Sequence, residues 1–151
     1  MHLTEKRRRA AQRTPETPRK KAGAPSRAFL RRRLEAHLTE LGYSSVRVMG
    51  VGSPVPEIVR VSPVRGRIAY GETVLRRDLR SKRCHERLIF FSQHRTRRRS
   101  SILFFIGVAP EDQQAIQALL AKLEIQSAIR GGHVHVVPIS AEEPAPRGGR
   151  A

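Results

Sequence analysis

Two short β-type segments that each carry one carboxylate constrain this chain more than any other feature of its sequence. Residues 56–61 and 67–74 are rich in Val and Ile. Glu57 interrupts the first segment and Glu72 interrupts the second. The connection at 62–66 contains Pro and Gly, so the two segments are predicted to form neighbouring strands. Because an ionised carboxylate is costly to bury unless it is paired or bound to a metal, the glutamates predict a polar site between these strands.

The length and composition predict a single folded domain with extended ends. The chain has 151 residues, and its two ends lack hydrophobic periodicity. We therefore expect a basic disordered arm at 1–26, an α/β domain at 27–139 and a disordered tail at 140–151. No apolar run reaches the roughly 20 residues of a membrane-spanning helix, so we expect a soluble, cytoplasmic protein without a membrane partner. The single Cys84 allows no intramolecular disulfide and is predicted to be a small buried apolar residue.

Basic residues dominate the charge, and they are concentrated in two blocks. The 30 Lys and Arg residues and 13 Asp and Glu residues give a net charge of +17. Residues 1–26 hold eight basic and two acidic residues, and residues 76–99 hold ten and two. Such clusters favour phosphate backbones, because each neutralised phosphate releases condensed counterions. The charge predicts DNA as the partner, with nucleoid association, and RNA as the alternative. A solubilising basic surface is the competing interpretation.

Hydrophobic periodicity predicts the order helix, three strands, helix, strand, helix, strand. Ser26 is predicted to cap a first helix that stops at Gly42. Asp78 is predicted to cap a second helix that runs to about His94, and a third helix opens at Pro110. The predicted strands lie at 45–49, 56–61, 67–74, 101–108 and 133–137. This order predicts an α/β fold with a mixed central sheet flanked by helices.

Short motifs around the two glutamates resemble those of the PD-(D/E)xK, restriction-endonuclease-like nuclease superfamily. The motifs are Glu40-Leu41-Gly42-Tyr43 at a helix end, Val46-Arg47-Val48, Pro56-Glu57 and Gly71-Glu72. In the first half, the resemblance is to Holliday-junction resolvases of archaeal type. It implies a restriction-endonuclease-like αβββαβ core over about 27–108, followed by an extra C-terminal helix and strand.

The resemblance also implies a Mg²⁺ site. The two acids that hold the metal in the family correspond to Glu57 and Glu72, and the metal there activates water and neutralises charge on the scissile phosphate. An acid that some members place on the first helix corresponds to Glu35, or with less support to Glu40. The family's Lys corresponds to Val74, which shares a strand face with Glu72 but has no ammonium group.

The missing ammonium leaves more than one function open. Lys82 on the following helix, or Arg76 just after the strand, would have to replace it, since such a positioned charge contributes roughly 10²–10⁴-fold in rate. With a replacement, the resemblance implies a Mg²⁺-dependent DNA endonuclease. Without one, the alternatives are a non-catalytic DNA- or RNA-binding or regulatory subunit, or a basic protein-interaction domain. Because resolvase-like relatives act as dimers, the resemblance also implies a homodimer.

The predicted phosphate contacts lie in the second basic block. They are Arg76, Arg77, Arg80, Lys82, Arg95, Arg97, Arg98 and Arg99. The basic runs at 6–9 and 19–21 are expected to add affinity that does not depend on sequence. His133 and His135 share a strand face, and we favour surface or sheet-facing histidines there over a metal-binding pair.

Overall fold

The computed structural model describes four stretches of the chain, which are 25–46, 54–63, 66–95 and 102–140. Most of the expected N-terminal arm and nearly all of the expected C-terminal tail lie outside these residues. So do most of the first predicted strand and the predicted contacts at Arg97, Arg98 and Arg99. The two predicted glutamates and the elements around them all lie inside.

A five-stranded mixed sheet forms the centre of the described part of the chain. In spatial order its strands are β1 (Ser44–Ser45), β2 (Ile58–Val61), β3 (Ile68–Val74), β4 (Leu103–Val108) and β5 (Val134–Pro138). β2 is antiparallel to β1 and β3, whereas β4 is parallel to β3 and β5. The α-helices are α1 (Arg27–Glu40), α2 (Lys82–Ser92) and α3 (Gln113–Lys122). The predicted α/β fold with a mixed central sheet flanked by helices is confirmed.

The helices bury apolar side chains on both faces of the sheet. On one face, Leu30, Leu34 and Leu38 of α1 are fully buried against Phe105 of β4 and its neighbours. The core on the other face is built mainly from β3, β4, α2 and α3, with Val74, Leu88, Phe91, Phe104, Ile106, Ile116 and Leu120. Burying one side chain of this kind stabilises the fold by about 1.5–3 kcal/mol. The helices are therefore held firmly against the sheet.

Two glycines allow α1 to lie close to the sheet. A Cβ atom at Gly71 of β3 would come within 2.9 Å of the Ile58 side chain and 3.3 Å of Leu34. A Cβ atom at Gly107 of β4 would also lie 3.3 Å from Leu34. Larger residues would push the helix outward. This close approach brings the first turn of α1 over the carboxyl end of β3.

The start of α1 was predicted correctly, and that of α2 was not. The Ser26 Oγ accepts a hydrogen bond from the Phe29 backbone N–H at 3.1 Å, and α1 starts at the next residue, as predicted. A 3₁₀ turn (Arg76–Arg80) precedes α2, and the side chain that caps α2 belongs to Ser81. Asp78, the predicted cap, instead accepts from the Leu75 backbone N–H at 2.9 Å. Its carboxylate is therefore available to the site described below.

The C-terminal half follows its predictions closely. β4 is buried on both faces, as its continuous apolar run predicts. A 3₁₀ turn (Pro110–Asp112) leads into α3, as Pro110 predicts. Gly131 has a φ of 85°, which favours glycine, and turns the chain toward β5. Within the described ranges, no helix is long and apolar enough to cross a membrane.

Candidate polar site at the carboxyl end of strand β3

A cavity of about 620 Å³ lies between α1 and α2, at the carboxyl end of β3. Its charged lining consists of three acids and four arginines, which are Glu57, Glu72, Asp78, Arg27, Arg31, Arg83 and Arg87. The structure therefore brings the two predicted glutamates to one cavity. It also surrounds them with cations from both flanking helices.

Glu72 is the buried centre of the site, with only 4 % of its side chain exposed. Its Oε1 accepts a hydrogen bond from the Arg87 Nε at 2.8 Å, and the Arg87 Nη2 lies 2.5 Å from the same oxygen. Its Oε2 accepts from the Glu57 backbone N–H at 3.1 Å. Burial raises the pKa of Glu72 to about 7, although the Glu57 N–H and Arg87 act in the opposite direction. The charge of Glu57 adds to the rise.

Glu57 stands just before β2 and turns its carboxylate toward Thr73. The Thr73 hydroxyl donates to Oε2 at 2.7 Å, and the Thr73 backbone N–H donates to Oε1 at 3.3 Å. The Arg27 Nη1 lies 3.5 Å from Oε1. Two neighbouring residues of β3 thus hold Glu57. Thr73 donates to its carboxylate, and the Glu72 carboxylate accepts its backbone N–H.

Arg27 joins α1 to the end of β3. Its Nη1 donates to the Thr73 carbonyl oxygen at 2.9 Å, and its Nη2 donates to Asp78 Oδ2 at 2.5 Å. Arg27 is the first residue of α1, so the Ser26 cap fixes where this guanidinium enters the site. The position carries no periodicity signal, and sequence reasoning missed it.

Arg87 joins α2 to the residues before β2. Besides its contact with Glu72, its Nη2 donates to the Val55 carbonyl oxygen at 3.0 Å. Its guanidinium lies 5.0 Å from the centroid of the Phe91 ring, which is a cation–π distance. Sequence reasoning missed this residue too, although a signal exists. Arg87 is three residues after Cys84 and four before Phe91, which places it on the apolar face of the helix.

Several predicted site residues do not line the cavity. Glu35 instead pairs with Arg31 at 3.1 Å and with Arg60 at 3.8 Å. Lys82 is 91 % exposed and lies 4.0 Å from Glu86. The other proposed replacement cation, Arg76, pairs with Asp112 at 2.9 Å. Arg87 is the cation that reaches Glu72.

Val74, which the resemblance aligns with a Lys, is closed off by apolar packing. Only 2 % of the residue is exposed, and it belongs to the same core cluster as Leu88 and Phe91. Its side chain forms part of the cavity floor. The position therefore contributes shape to the site and no charge.

A divalent cation does not fit the acid pair as the pair is built here. Mg²⁺ prefers about six oxygen ligands in near-octahedral geometry. Each of the four carboxylate oxygens of Glu57 and Glu72 already accepts a hydrogen bond from a protein group. Across the residues that the structure describes, no group of three His, Cys, Asp or Glu side chains comes together to hold a metal. The Arg87 guanidinium binds Glu72, and the Arg27 Nη1 lies 3.5 Å from Glu57, so each acid already has a cationic neighbour.

Exposed basic side chains lie on the cavity wall and on the segments that flank α2. Arg77 and Arg80 of the 3₁₀ turn and Arg83 of the first turn of α2 are exposed. Within the described stretches, these three form no ion pair with an acid. Arg95 is also exposed, and its Nη1 donates to the His94 carbonyl oxygen at 3.0 Å. Unpaired positive charge therefore lies on the cavity wall at Arg83 and in the turn that leads into α2.

The remaining candidate residues have other contacts. A ring nitrogen of His133 lies 2.7 Å from the Ser92 carbonyl oxygen, and His135 stacks on Phe105 with 5.0 Å between centroids. Burial lowers the pKa of His135, and His133 adds to the effect. Cys84 is half-buried in the cavity wall, where burial raises the pKa of its thiol to about 11. A thiol with this pKa is a poor nucleophile.

Comparisons with protein-family models, curated proteins and solved structures give no match. The arguments for function therefore rest on the chemistry of this cavity and of the basic surface beside it.

Proposed function

We propose that the protein is a non-catalytic nucleic-acid-binding protein built on a restriction-endonuclease-like fold. One observation carries the proposal. Every carboxylate oxygen of Glu57 and Glu72 is bound by a protein donor. In contrast, Arg83 on the cavity wall and Arg77 and Arg80 in the adjacent turn are exposed and have no acidic partner among the described residues. In this proposal the acids organise the fold, and the arginines contact phosphates.

The sheet supports the fold assignment. One helix precedes three strands, of which the second is antiparallel to its neighbours, and a helix then leads to a parallel fourth strand. This is the αβββαβ order that the resemblance implies. The acids Glu57 and Glu72 stand at adjacent ends of β2 and β3, as the motif requires. The buried Val74 supports the loss of catalysis, because its side chain supplies neither charge nor a proton.

The surface supports the choice of ligand. Residues 76–87 contain six basic and two acidic side chains. Asp78, one of the two acids, is paired with Arg27, so its charge is already neutralised within the site. Exposed guanidinium groups form bidentate hydrogen bonds with phosphate, and such contacts carry no sequence information. DNA is the proposed ligand, and RNA of equal length is the comparison.

Fluorescence anisotropy over a series of salt concentrations tests this proposal. Labelled duplex, branched and single-stranded DNA and an RNA duplex are titrated with the full chain. We expect log K to fall linearly with log salt for DNA. The double substitution Arg77→Ala with Arg80→Ala should lower the magnitude of that slope by about two, because each removes about one phosphate contact.

A matched control comes from the opposite end of the sheet. Arg130 is exposed in the turn before β5, at the amino end of the parallel strands, whereas the cavity lies at the carboxyl end of β3. Arg130→Ala should leave the salt slope unchanged. If the full chain has no affinity at low salt, the proposal fails and a protein-interaction domain is favoured. An Arg130→Ala loss of slope as large, per arginine removed, as that of the Arg77→Ala and Arg80→Ala double variant would contradict the proposed surface.

The positions of Glu57 and Glu72 at adjacent strand ends support a second candidate function, a Mg²⁺-dependent DNA endonuclease. In that case the Arg87 guanidinium, which binds Glu72 here, would have to release this carboxylate to the metal. Incubation of branched and duplex DNA with Mg²⁺ or Mn²⁺ separates the two candidates. Cleavage by the wild-type chain that is lost in both Glu57→Ala and Glu72→Ala would replace the non-catalytic proposal.

A further inference from the structure

Arg87 is bound on three sides, which is unusual for a side chain near a surface. It donates to Glu72 Oε1 at 2.8 Å and to the Val55 carbonyl oxygen at 3.0 Å, and it lies against the Phe91 ring. Its side chain is 26 % exposed, half as much as that of Arg31 at the same cavity. A guanidinium in this position acts as a fixed cation of the protein.

We propose that Arg87 occupies the place of a divalent cation and keeps a latent cation site at Glu57 and Glu72 closed. The wild-type chain then binds no Mg²⁺ or Mn²⁺ at this position, and a chain without the guanidinium does. This inference goes beyond nucleic-acid binding and does not depend on it, because it concerns the occupant of the acid pair alone.

The chemistry of the acid pair explains why removal of Arg87 would open the site. Truncation leaves Glu72 Oε1 buried without a donor, and an unpaired buried carboxylate is costly. Glu57 and Glu72 line one cavity, and the Thr73 carbonyl oxygen, which accepts from Arg27, lies at the same strand end. Mg²⁺ and Mn²⁺ accept one or two carboxylates and complete their coordination with water. A divalent cation would therefore satisfy the oxygen that Arg87 leaves.

Thermal unfolding with and without MnCl₂ tests this proposal on the full chain. The variants are Arg87→Ala and Arg87→Met, of which the second keeps an apolar stem against Phe91. We expect the wild-type Tm to be insensitive to Mn²⁺. In both variants, Mn²⁺ at about tenfold above its Kd should raise Tm by roughly 5 °C or more. Electron paramagnetic resonance counts the bound Mn²⁺ independently of stability.

Two further variants locate the effect. Arg87→Ala combined with Glu72→Gln should lose the Mn²⁺-dependent rise, because the ligand is gone. Arg83→Ala removes an exposed arginine of the same cavity and helix, and its Tm should be as insensitive to Mn²⁺ as that of the wild-type chain. If a variant is unfolded without metal, the proposal expects Mn²⁺ to restore its helical circular dichroism.

Three outcomes would overturn the proposal. The first is a Mn²⁺-dependent rise in the wild-type Tm equal to that of Arg87→Ala and lost in Glu72→Gln. The second is a folded Arg87→Ala and a folded Arg87→Met that bind no Mn²⁺. The third is a pair of unfolded variants that Mn²⁺ does not refold.

Discussion

The Nε of Arg87 lies 2.8 Å from Oε1 of Glu72 and so ties the helix on one face of the sheet to strand β3. Arg27 reaches the same strand end from the helix on the other face, where its Nη1 lies 2.9 Å from the Thr73 carbonyl oxygen. Two arginines from opposite faces therefore converge on one point. The polar site is part of what holds the three layers together.

Removal of Arg87 should destabilise the fold substantially. Breaking a buried ion pair by removing one partner costs about 3–5 kcal/mol, because the other charge stays buried. We expect Arg87→Ala to lower the free energy of unfolding by about this amount, measured by urea denaturation in the presence of a chelator. Arg83→Ala, an exposed neighbour, should change it by about 0.5 kcal/mol or less. Equal effects of the two substitutions would contradict a structural role for the Arg87–Glu72 pair.

The free energy of unfolding should depend on pH through the titration of Glu72. Burial raises the pKa of this group from 4.5 to about 7 in the folded chain. Between these pH values the folded chain binds more protons than the unfolded chain, so the contribution of Glu72 falls as the pH rises. The stabilising contribution of Glu72 is greatest below about pH 4.5 and is lost as the pH rises through about 7.

Glu72→Gln isolates this contribution, because glutamine does not titrate. The free energy of unfolding of the wild-type chain, relative to that of the variant, should decrease from about pH 5 to pH 8 by on the order of 3 kcal/mol. Glu86→Gln, which removes an exposed carboxylate, is the control. A difference that increases with pH would indicate that pairing with Arg87 outweighs burial at Glu72.

The sequence predicted the framework of this site better than its chemistry. Ser26, Pro110 and the apolar run of β4 act through local rules of capping and burial, so the elements they define lie close to their predicted positions. The cations were misjudged because Arg27 and Arg87 reach the site from elements that meet only in three dimensions. The cap of α2 was misjudged for the same reason. The Asp78 carboxylate pairs with Arg27, which lies 51 residues earlier in the chain, and Ser81 caps the helix.

Cys84 should react slowly with alkylating reagents even though it lines a cavity. Burial raises the pKa of its thiol to about 11, and Asp78 adds to the rise. A free thiol has a pKa of about 8.5, so the thiolate fraction of Cys84 at about pH 8 is about two orders of magnitude lower. We expect iodoacetamide labelling, followed by mass spectrometry, to be slower by that factor in the native chain than in urea. Equal rates would contradict the protected position of the thiol.

An ammonium group introduced at position 74 should compete with Arg87 for the Glu72 carboxylate. Val74 is 2 % exposed and packs with Leu88, so Val74→Lys forces a charge into an apolar wall unless it reaches Glu72, which Arg87 already holds. We expect urea denaturation to give a loss of about 3 kcal/mol or more in the free energy of unfolding. Val74→Met, which adds bulk without charge, should cost about 1–3 kcal/mol.

A double variant that combines Val74→Lys with Arg87→Ala distinguishes competition for Glu72 from simple disruption of the apolar packing. With the guanidinium gone, the introduced ammonium is free to pair with Glu72. The loss in the free energy of unfolding of the double variant should therefore be smaller than the sum of the two single losses, by about 1–3 kcal/mol. Additive losses would mean that the strand position of Val74 does not reach the Glu72 carboxylate. The side chain at Val74 would then have no part in the electrostatics of the site.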